Sequence, residues 1–329
     1  MSLVNESPFF TVVIPTRNRP VEFAAALNSV LSQTCNDLEV IVVNDGTNAA
    51  NREAYNKIEA HSSHNVSFIN LIERTRGHGH CFARNEGVVA SKGHFICFLD
   101  DDDVWIDEQF LSRAKTQIKN CNADLFIANQ QAITHDGKEI KNVWVEDIPS
   151  TFSPSDPRLK QEVFEINRSE LLKSKGFAHQ NTCIVEKQLF ESVGGMDENM
   201  RYEPDRDIYW RLLDNAAVIL YDTNTVALHN VPNKDNSKNA STQTNRLEKL
   251  LFQLRTANKG LLFAKNEDIF DSCKHFKLYT LKHIATELVQ KSKYKKAVLY
   301  AKQALAIKFS IKWFLWTQLI KIKALGSEK

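Results

Sequence analysis

The sequence predicts an α/β protein, a doubly wound and mostly parallel sheet followed by a C-terminal helical extension. Two observations carry the sheet and its extension. Short β-rich apolar runs alternate with longer helical patterns over the first 130 residues, which is the rhythm of parallel strands joined by crossover helices. From residue 246 the pattern is helical to the end. A third observation marks the boundary. Residues 1–244 hold 24 Lys/Arg against 34 Asp/Glu, whereas residues 245–329 hold 18 against 6. The chain therefore reads as two parts, 1–244 and 245–329, that face different partners.

The elements follow in order. Strands are expected at Phe10–Ile14, Leu38–Val43, Val66–Leu71, His94–Leu99 and Asp124–Ala128. Helical stretches lie near 20–34, 48–61, 80–91 and 104–120, the last with Phe110, Leu111, Ala114 and Ile118 at helical spacing. Residues 129–165 are less regular. Asp136-Gly137 reads as a hairpin turn and Pro149–Pro157 as a loop. Helix and strand return over 168–222, and the polar stretch Asn230–Asn245 reads as a mobile loop or linker.

Composition excludes several classes. At 329 residues, 43% hydrophobic and 25% charged, the chain is neither disordered nor a single small domain. A net charge of +2 argues against a wholly basic nucleic-acid binder. The start has no basic segment leading into an apolar one, and no run of 18 apolar residues exists, so neither a secretory signal nor a membrane span is expected. Six cysteines without a Cys-x-x-Cys pair argue against a zinc site and fit the reducing cytoplasm.

Open parallel sheets bind ligands beyond the carboxyl ends of their strands. Those ends carry Pro15-Thr16-Arg17-Asn18-Arg19, Asn44-Asp45-Gly46-Thr47, Arg74 to Arg84-Asn85, and Asp100-Asp101-Asp102-Asp103-Val104-Trp105. Four adjacent carboxylates repel one another. A hard divalent cation, Mg²⁺ or Mn²⁺, would relieve that repulsion and favours oxygen ligands. Asp103 is read as the cap of the following helix, and Asp100 and Asp102 as metal or nucleotide contacts. Arg84 suits bidentate phosphate binding, against the alternative of a solvated helix charge.

These segments resemble the inverting glycosyltransferases of family 2, with their GT-A fold. Phe10–Asn18 is similar to the family's opening strand. Val40–Thr47 is similar to its "VVDDGS" segment, with Asn44 in place of the first aspartate. Gly79–Gly87 resembles a glycine followed by Ala-Arg-Asn, and Gly93–Trp105 resembles "G-x-x-x-x-FLD-x-DD-x-W". Val193–Glu198 resembles Gly-Gly-Phe-Asp-Glu, and Tyr202–Leu212 an acidic helix that commonly reads "EDxDxxxR". The six segments occur in order across most of residues 9–230.

The resemblance implies transfer of a sugar from a nucleotide-sugar donor, a UDP-sugar first, to an acceptor hydroxyl with inversion. The acceptor would be a glycan or lipid-linked glycan, as in assembly of a surface polysaccharide or glycoconjugate. The donor half would cover about 1–130 and the acceptor half about 131–244. Pro15, Thr16, Arg17, Asn44, Asp45, Arg84, Asp100 and Asp101 would line the donor pocket. Asp102 would hold the metal, with His229 closing its shell or serving structure instead. Aligned on Arg211, the acidic pair falls on Pro204-Asp205, which makes Asp205 the candidate base. Pro204 departs from the usual Glu, while Glu203 lies one residue earlier. The N-terminus of a helix over 204–213 would favour the Asp205 carboxylate and lower its basicity. His179, Asn181, Glu203 and Trp210 would border the acceptor. Arg211 reaches phosphate or pairs with Asp207 four residues earlier.

The basic tail reads as three or four helices. Ala297, Tyr300, Ala301, Ala304 and Leu305 mark a packed face. Phe309–Leu325 holds Trp313, Phe314, Trp316, Leu319, Ile320 and Ile322 among Lys308, Lys312, Lys321 and Lys323. Such a segment suits an anionic membrane surface, which would place the chain peripherally on the inner face of the membrane. Equally, it suits packing on the catalytic part or on a sister subunit in a homo-oligomer. Two other functions compete with sugar transfer. A sugar nucleotidyltransferase would show a glycine-rich loop near the N-terminus, and Ile14–Pro20 has no glycine. A non-catalytic nucleotide-binding scaffold would have no need of both Asp102 and Asp205.

Overall fold

The computed structural model describes residues 7–141, 143–231 and 244–326. They form two compact units. The first runs to Asn199 and resumes at Pro204, and the second joins Met200–Glu203 to the C-terminal helices.

In the first unit, strands form where Val, Ile and Phe cluster. These are β1 (Phe10–Thr16), β2 (Leu38–Asn44), β3 (Val66–Asn70) and β4 (Phe95–Phe98). Every residue of β1 and β4 is buried, as expected where helices cover both faces of a parallel sheet. The intervening helices are α1 (Pro20–Leu31), α2 (Ala49–Ala60) and α3 (His80–Ala90). Pro20 starts α1 at the position where a missing N–H costs nothing. Asn48 caps α2 by accepting from the Asn51 N–H.

The expected helix over 104–120 is two elements. Val104–Trp105 forms β5, and α4 begins only at Phe110 and runs to Cys121. The reason is tertiary. Val104 and Trp105 pair antiparallel with Leu228 and Ala227, far along the chain. The spacing in α4 holds, with Phe110, Leu111, Ala114 and Ile118 all buried.

Beyond α4 lie β6 (Leu125–Thr134), β7 (Glu139–Ile140), β8 (Val163–Glu165), α5 (Arg168–Leu171), β9 (Cys183–Glu186), α6 (Lys187–Ser192), α7 (Pro204–Asn215) and β10 (Ile219–Val231). Asp136-Gly137 turns the β6–β7 hairpin, with Gly137 at φ +78°. The stretch read as a loop at 149–157 is bounded by two 3₁₀ turns, Ile148–Thr151 and Pro157–Lys160. Of the expected linker at 230–245, Asn230 and Val231 end β10; residues 232–243 lie outside the described ones.

The sheet has ten strands in the order β3-β2-β1-β4-β9-β6-β10-β5, with β7 on β6 and β8 on β10. The long ladders, β1 with β2, β2 with β3 and β6 with β10, are parallel. β9 enters antiparallel between β4 and β6. Strand order reverses at β1, which has β2 on one side and β4 on the other, so a crevice opens beyond their carboxyl ends. The β1–β4 ladder ends at Val13 and Phe98. Pro15, two residues on, has no N–H to continue it.

In the second unit, α8 (Arg246–Phe263), α9 (Glu267–Gln290), α10 (Tyr294–Ile307) and α11 (Ile311–Gly326) pack in succession, each against the next. Ala297, Ala301 and Ala304 are fully buried, as their spacing expects. Leu250, Ile284, Leu288 and Ile320 form one apolar cluster with Trp316; Leu278, Leu281 and Ala304 form another with Trp313. No described helix is long and apolar enough to cross a membrane.

Candidate active site

Five segments meet at the carboxyl ends of the strands. The acidic run after β4 lies at their centre, and each of its four carboxylates has a different environment. Asp100 pairs with Arg84 of α3, which is 2% exposed. Burial opposes a charge on Asp100, but Arg84 and then His179 hold its carboxyl below the ordinary range. The Asp100 N–H donates to Asn181 Oδ1 at 3.0 Å. Arg84 Nε and Nη1 are buried and meet no hydrogen-bond partner among the described residues. Two orphan guanidinium donors beside a carboxylate are an arrangement ready for a further anion.

Asp101 faces β1. It accepts from Thr16 Oγ1 at 2.8 Å and from the Arg17 N–H at 3.3 Å. Arg19 Nη1 bridges Asp101 Oδ1 and Asp102 Oδ2 at 2.9 and 2.7 Å. Burial nevertheless pushes the Asp101 carboxyl up to about 6. Burial, followed by repulsion from Asp103, raises that of Asp102 as well. The sequence reading did not single out Arg19, although it closes the motif quoted at the first strand end. Its signal was position alone. Tyr55 was also missed. It is the one buried side chain of α2, and its hydroxyl hydrogen-bonds Thr16 at 2.6 Å and accepts from the Arg19 N–H at 3.0 Å.

Asp103 does not cap a helix, since β5 rather than a helix follows it. Its fully buried carboxylate accepts from Asn181 Nδ2 and from the Asn230 N–H, and pairs with His229 Nδ1 at 2.8 Å. His229 thus meets the acidic run through Asp103. Burial would discharge its imidazole, but the bond to Asp103 outweighs that and raises its pKa. Trp144, another residue not foreseen, packs its ring against His179 and His229 at 4.8 and 5.4 Å and orients both.

Asp100, Asp103 and His179 each bring one ligand atom within 4.8 Å of the others. Two carboxylates and an imidazole form a donor set that fits a divalent cation, Mn²⁺ included. Asp102 lies outside this cluster, with Arg19 as its partner.

Asp205 stands at the first turn of α7. Its Oδ1 is buried and meets no hydrogen-bond partner among the described residues, and its Oδ2 is 4.0 Å from His179 Nε2. His179 Nε2 is also 3.9 Å from Asp100 Oδ2, so one imidazole stands between the two carboxylates. Its Nδ1 accepts from the Asn181 N–H at 3.4 Å, which leaves the proton of the neutral ring on Nε2. Burial holds His179 down to about 4. Contrary to the helix-dipole expectation, the Asp205 pKa is raised. Burial is the leading cause, opposed by Arg84 and reinforced by Asp100.

The remaining candidates are placed as follows. Asp45 organises the loop before α3, accepting from the N–H groups of His78 and Gly79 at 2.7 and 2.9 Å. Gly77 must be glycine there. Its φ is +63°, and an added Cβ would lie 2.3 Å from Asp45 Oδ2. Asn44 accepts from Thr47 and donates to Asn70 Oδ1 at 3.1 Å, beside a polar groove of about 350 Å³. Arg17 Nη2 donates to the carbonyls of Arg74 and Thr75. Pro15 is buried in β1, and Trp210 is buried in α7 with Arg206 over its ring at 5.8 Å. Glu203 belongs with the helical unit, where its carboxylate accepts from Gln253 at 3.5 Å. Arg211 pairs with Asp207 and donates to the carbonyls of Val193 and Gly195, so it serves structure.

The doubly wound sheet with an acidic run at its switch point is the arrangement expected of a GT-A fold, and comparison with known proteins supplies the family. The sequence profile of glycosyl transferase family 2 matches residues 11–193, and the chain belongs to that family. An uncharacterized glycosyltransferase of Rickettsia typhi is 27% identical over 213 residues, covering 64% of this chain and 61% of its own. One of Haemophilus influenzae is 26% identical over 215 residues, covering 65% of each. The match thus spans under two thirds of the length of these relatives. Among solved structures, Staphylococcus aureus TarS 1–349 in complex with UDP-GlcNAc superposes with a TM-score of 0.66 at 16% identity, covering 91% of this chain and 81% of that one. Mannosyltransferase PcManGT from Pyrobaculum calidifontis, in complex with GDP-Man and Mn²⁺, superposes with a TM-score of 0.57 at 14% identity, covering 99% and 87%. At these identities the likeness is one of fold.

Proposed function

We propose that the chain is a metal-dependent, inverting glycosyltransferase that moves a sugar from a UDP-sugar to a hydroxyl of a surface glycan or its lipid-linked precursor. The observation that carries this reading is Asp205. It is a buried carboxylate with one orphan oxygen, set across His179 from Asp100 on the rim where the fold binds nucleotides. Asp205 accepts the acceptor's hydroxyl proton as that oxygen bonds to the anomeric carbon. The bond from that carbon to the diphosphate oxygen breaks at the same time, and its electron pair departs with the nucleoside diphosphate. A single displacement of this kind inverts the anomeric centre. Burial raises the basicity of Asp205, which suits a proton acceptor.

Arg84 turns its orphan donors toward the diphosphate while holding Asp100 ionised. Thr16, Arg17, Asn44, Asp45 and Asp101 shape the donor pocket, and His179, Asn181 and Trp210 the acceptor side. A bound Mn²⁺ or Mg²⁺ would supply charge neutralisation at the leaving diphosphate. Asp102 with His229, or the cluster of Asp100, Asp103 and His179, would hold it. UDP-GlcNAc in TarS 1–349 and Mn²⁺ in PcManGT support the choice of donor class and metal.

The test uses two variants and a panel of nucleotide sugars with Mn²⁺. Asp205→Asn should bind donor as the wild type does and lose transfer by about 10²–10⁴-fold, the usual contribution of general base catalysis. Asp102→Ala should lose the Mn²⁺-dependent part of donor binding. Normal turnover in Asp205→Asn would move the base elsewhere, and unchanged Mn²⁺ dependence in Asp102→Ala would leave the metal to the other cluster.

A further inference from the structure

The last helix, α11, has two apolar faces, and only one of them is packed. Trp313, Trp316, Ile320 and Ala324 point into the helical unit. The two indoles stack at 4.2 Å, and Trp313 Nε1 donates to the Ala301 carbonyl at 3.1 Å. The tryptophans of the segment are therefore half-buried and packed against the core of the helical unit. Opposite them, Ile311, Phe314, Leu315, Leu319, Ile322 and Leu325 are between 40% and 69% exposed. At 100° per residue these six occupy an arc of about 140°, shared only with Gln318 and the terminal Gly326. The stripe extends for about 24 Å, the length of a 16-residue helix. Phe309 continues it, its ring tilted against that of Phe314 with centroids 5.9 Å apart.

Lysines border this stripe on both sides. By the same geometry Lys321 falls at one edge and Lys312 and Lys323 at the other. No Asp or Glu occurs in Ile311–Gly326. Isolated exposed apolar residues need no explanation, but a continuous stripe of this size marks an interaction site.

We infer that this face of α11 lies on an anionic lipid surface. The stripe would sink into the boundary between headgroups and acyl chains, and the flanking lysines would extend to the phosphates. Charge selects this occupant over a second copy of the chain. A symmetric contact between two such helices would bring lysine edge against lysine edge, with no acidic side chain on either helix to compensate. Each lysine near an anionic leaflet instead gains about 1 kcal/mol, or roughly fivefold in partition. The inference stands apart from the transfer reaction, since it uses no residue of the catalytic unit.

The test uses the full chain and vesicles of phosphatidylcholine alone or with 30% phosphatidylglycerol. The wild type should sediment with the anionic vesicles and stay in solution with the neutral ones. Leu315→Ser/Ile322→Ser should lower binding to the anionic vesicles at least tenfold with the thermal midpoint unchanged, because both positions are exposed. Lys312→Gln/Lys321→Gln/Lys323→Gln should lower it by roughly two orders of magnitude, at about fivefold per lysine. Equal sedimentation of wild type and both variants would overturn the inference. So would a dimer, seen by analytical ultracentrifugation without lipid, that Leu315→Ser/Ile322→Ser dissociates; the stripe would then be a self-interface.

Discussion

Asp205 is a case of two local effects with opposite signs. The N-terminus of a helix stabilises a carboxylate by about 0.3–1 kcal/mol. Burial can shift a carboxyl by as much as about 3–5 pK units, at about 1.4 kcal/mol each. Burial is the larger and sets the direction. Sequence could supply the helix start but not the burial. A second charged cluster allows a clean pH test. Arg158 reaches Asp156 and Glu170, each at 2.8 Å, and lies over the Phe152 ring at 4.2 Å. Its hydrogen bonds hold both carboxyls below their ordinary range. A carboxyl depressed in the folded state stabilises above its unfolded pKa, about 4 for these groups, and that stabilisation is lost as pH falls through the folded value. The stability gap between wild type and Arg158→Met, measured by urea unfolding, should therefore be largest near pH 7 and shrink between pH 4 and 2. A gap constant over that range would assign Arg158's effect to packing alone.

The elements legible from sequence were those with a strong local pattern. α4 announced itself by apolar residues at helical spacing, and β1 and β2 by apolar runs interrupted only by Thr11 in Phe10–Ile14 and by Glu39 in Leu38–Val43. β5 could not be read, because two residues carry no period and its partner strand, β10, lies far along the chain. The antiparallel insertion of β9 between β4 and β6 was hidden for the same reason. Packing between elements yields a further prediction. Gly87 lies in the interior of α3, where alanine is ordinarily better by about 1 kcal/mol. An added Cβ would stand 2.3 Å from Val13 Cγ1 in fully buried β1. Gly87→Ala should therefore destabilise, by about 1–3 kcal/mol, as overpacked cores do. Gly87→Ala/Val13→Ala should recover part of the loss relative to the sum of the single changes. Strict additivity in the double-mutant cycle would remove the proposed contact.

Across the molecule, none of the six cysteines is in a disulfide and five are buried; only Cys121, at the end of α4, is exposed. Burial also pushes the Cys81 thiol up to about 12, far from the reactive thiolate. A thiol reagent should label one site, Cys121, in the native chain and six in urea; rapid labelling of a second thiol would reveal local opening around it. The charge division at residue 244 was plain in the sequence, and the helical unit carries the positive part.

Local pattern was enough to establish the strand–helix alternation, the acidic run after β4, the family motifs and the basic helical tail, since each depends on residues near one another in the chain. Which carboxylate meets which partner was another matter. Arg19 holds Asp101 and Asp102, while His229 and Asn181 hold Asp103, and these groups come from strand ends that only the order of the sheet brings together. The same holds for the two faces of α11. Both are apolar in sequence, and burial alone separates the face whose tryptophans pack against the core from the apolar stripe left in water.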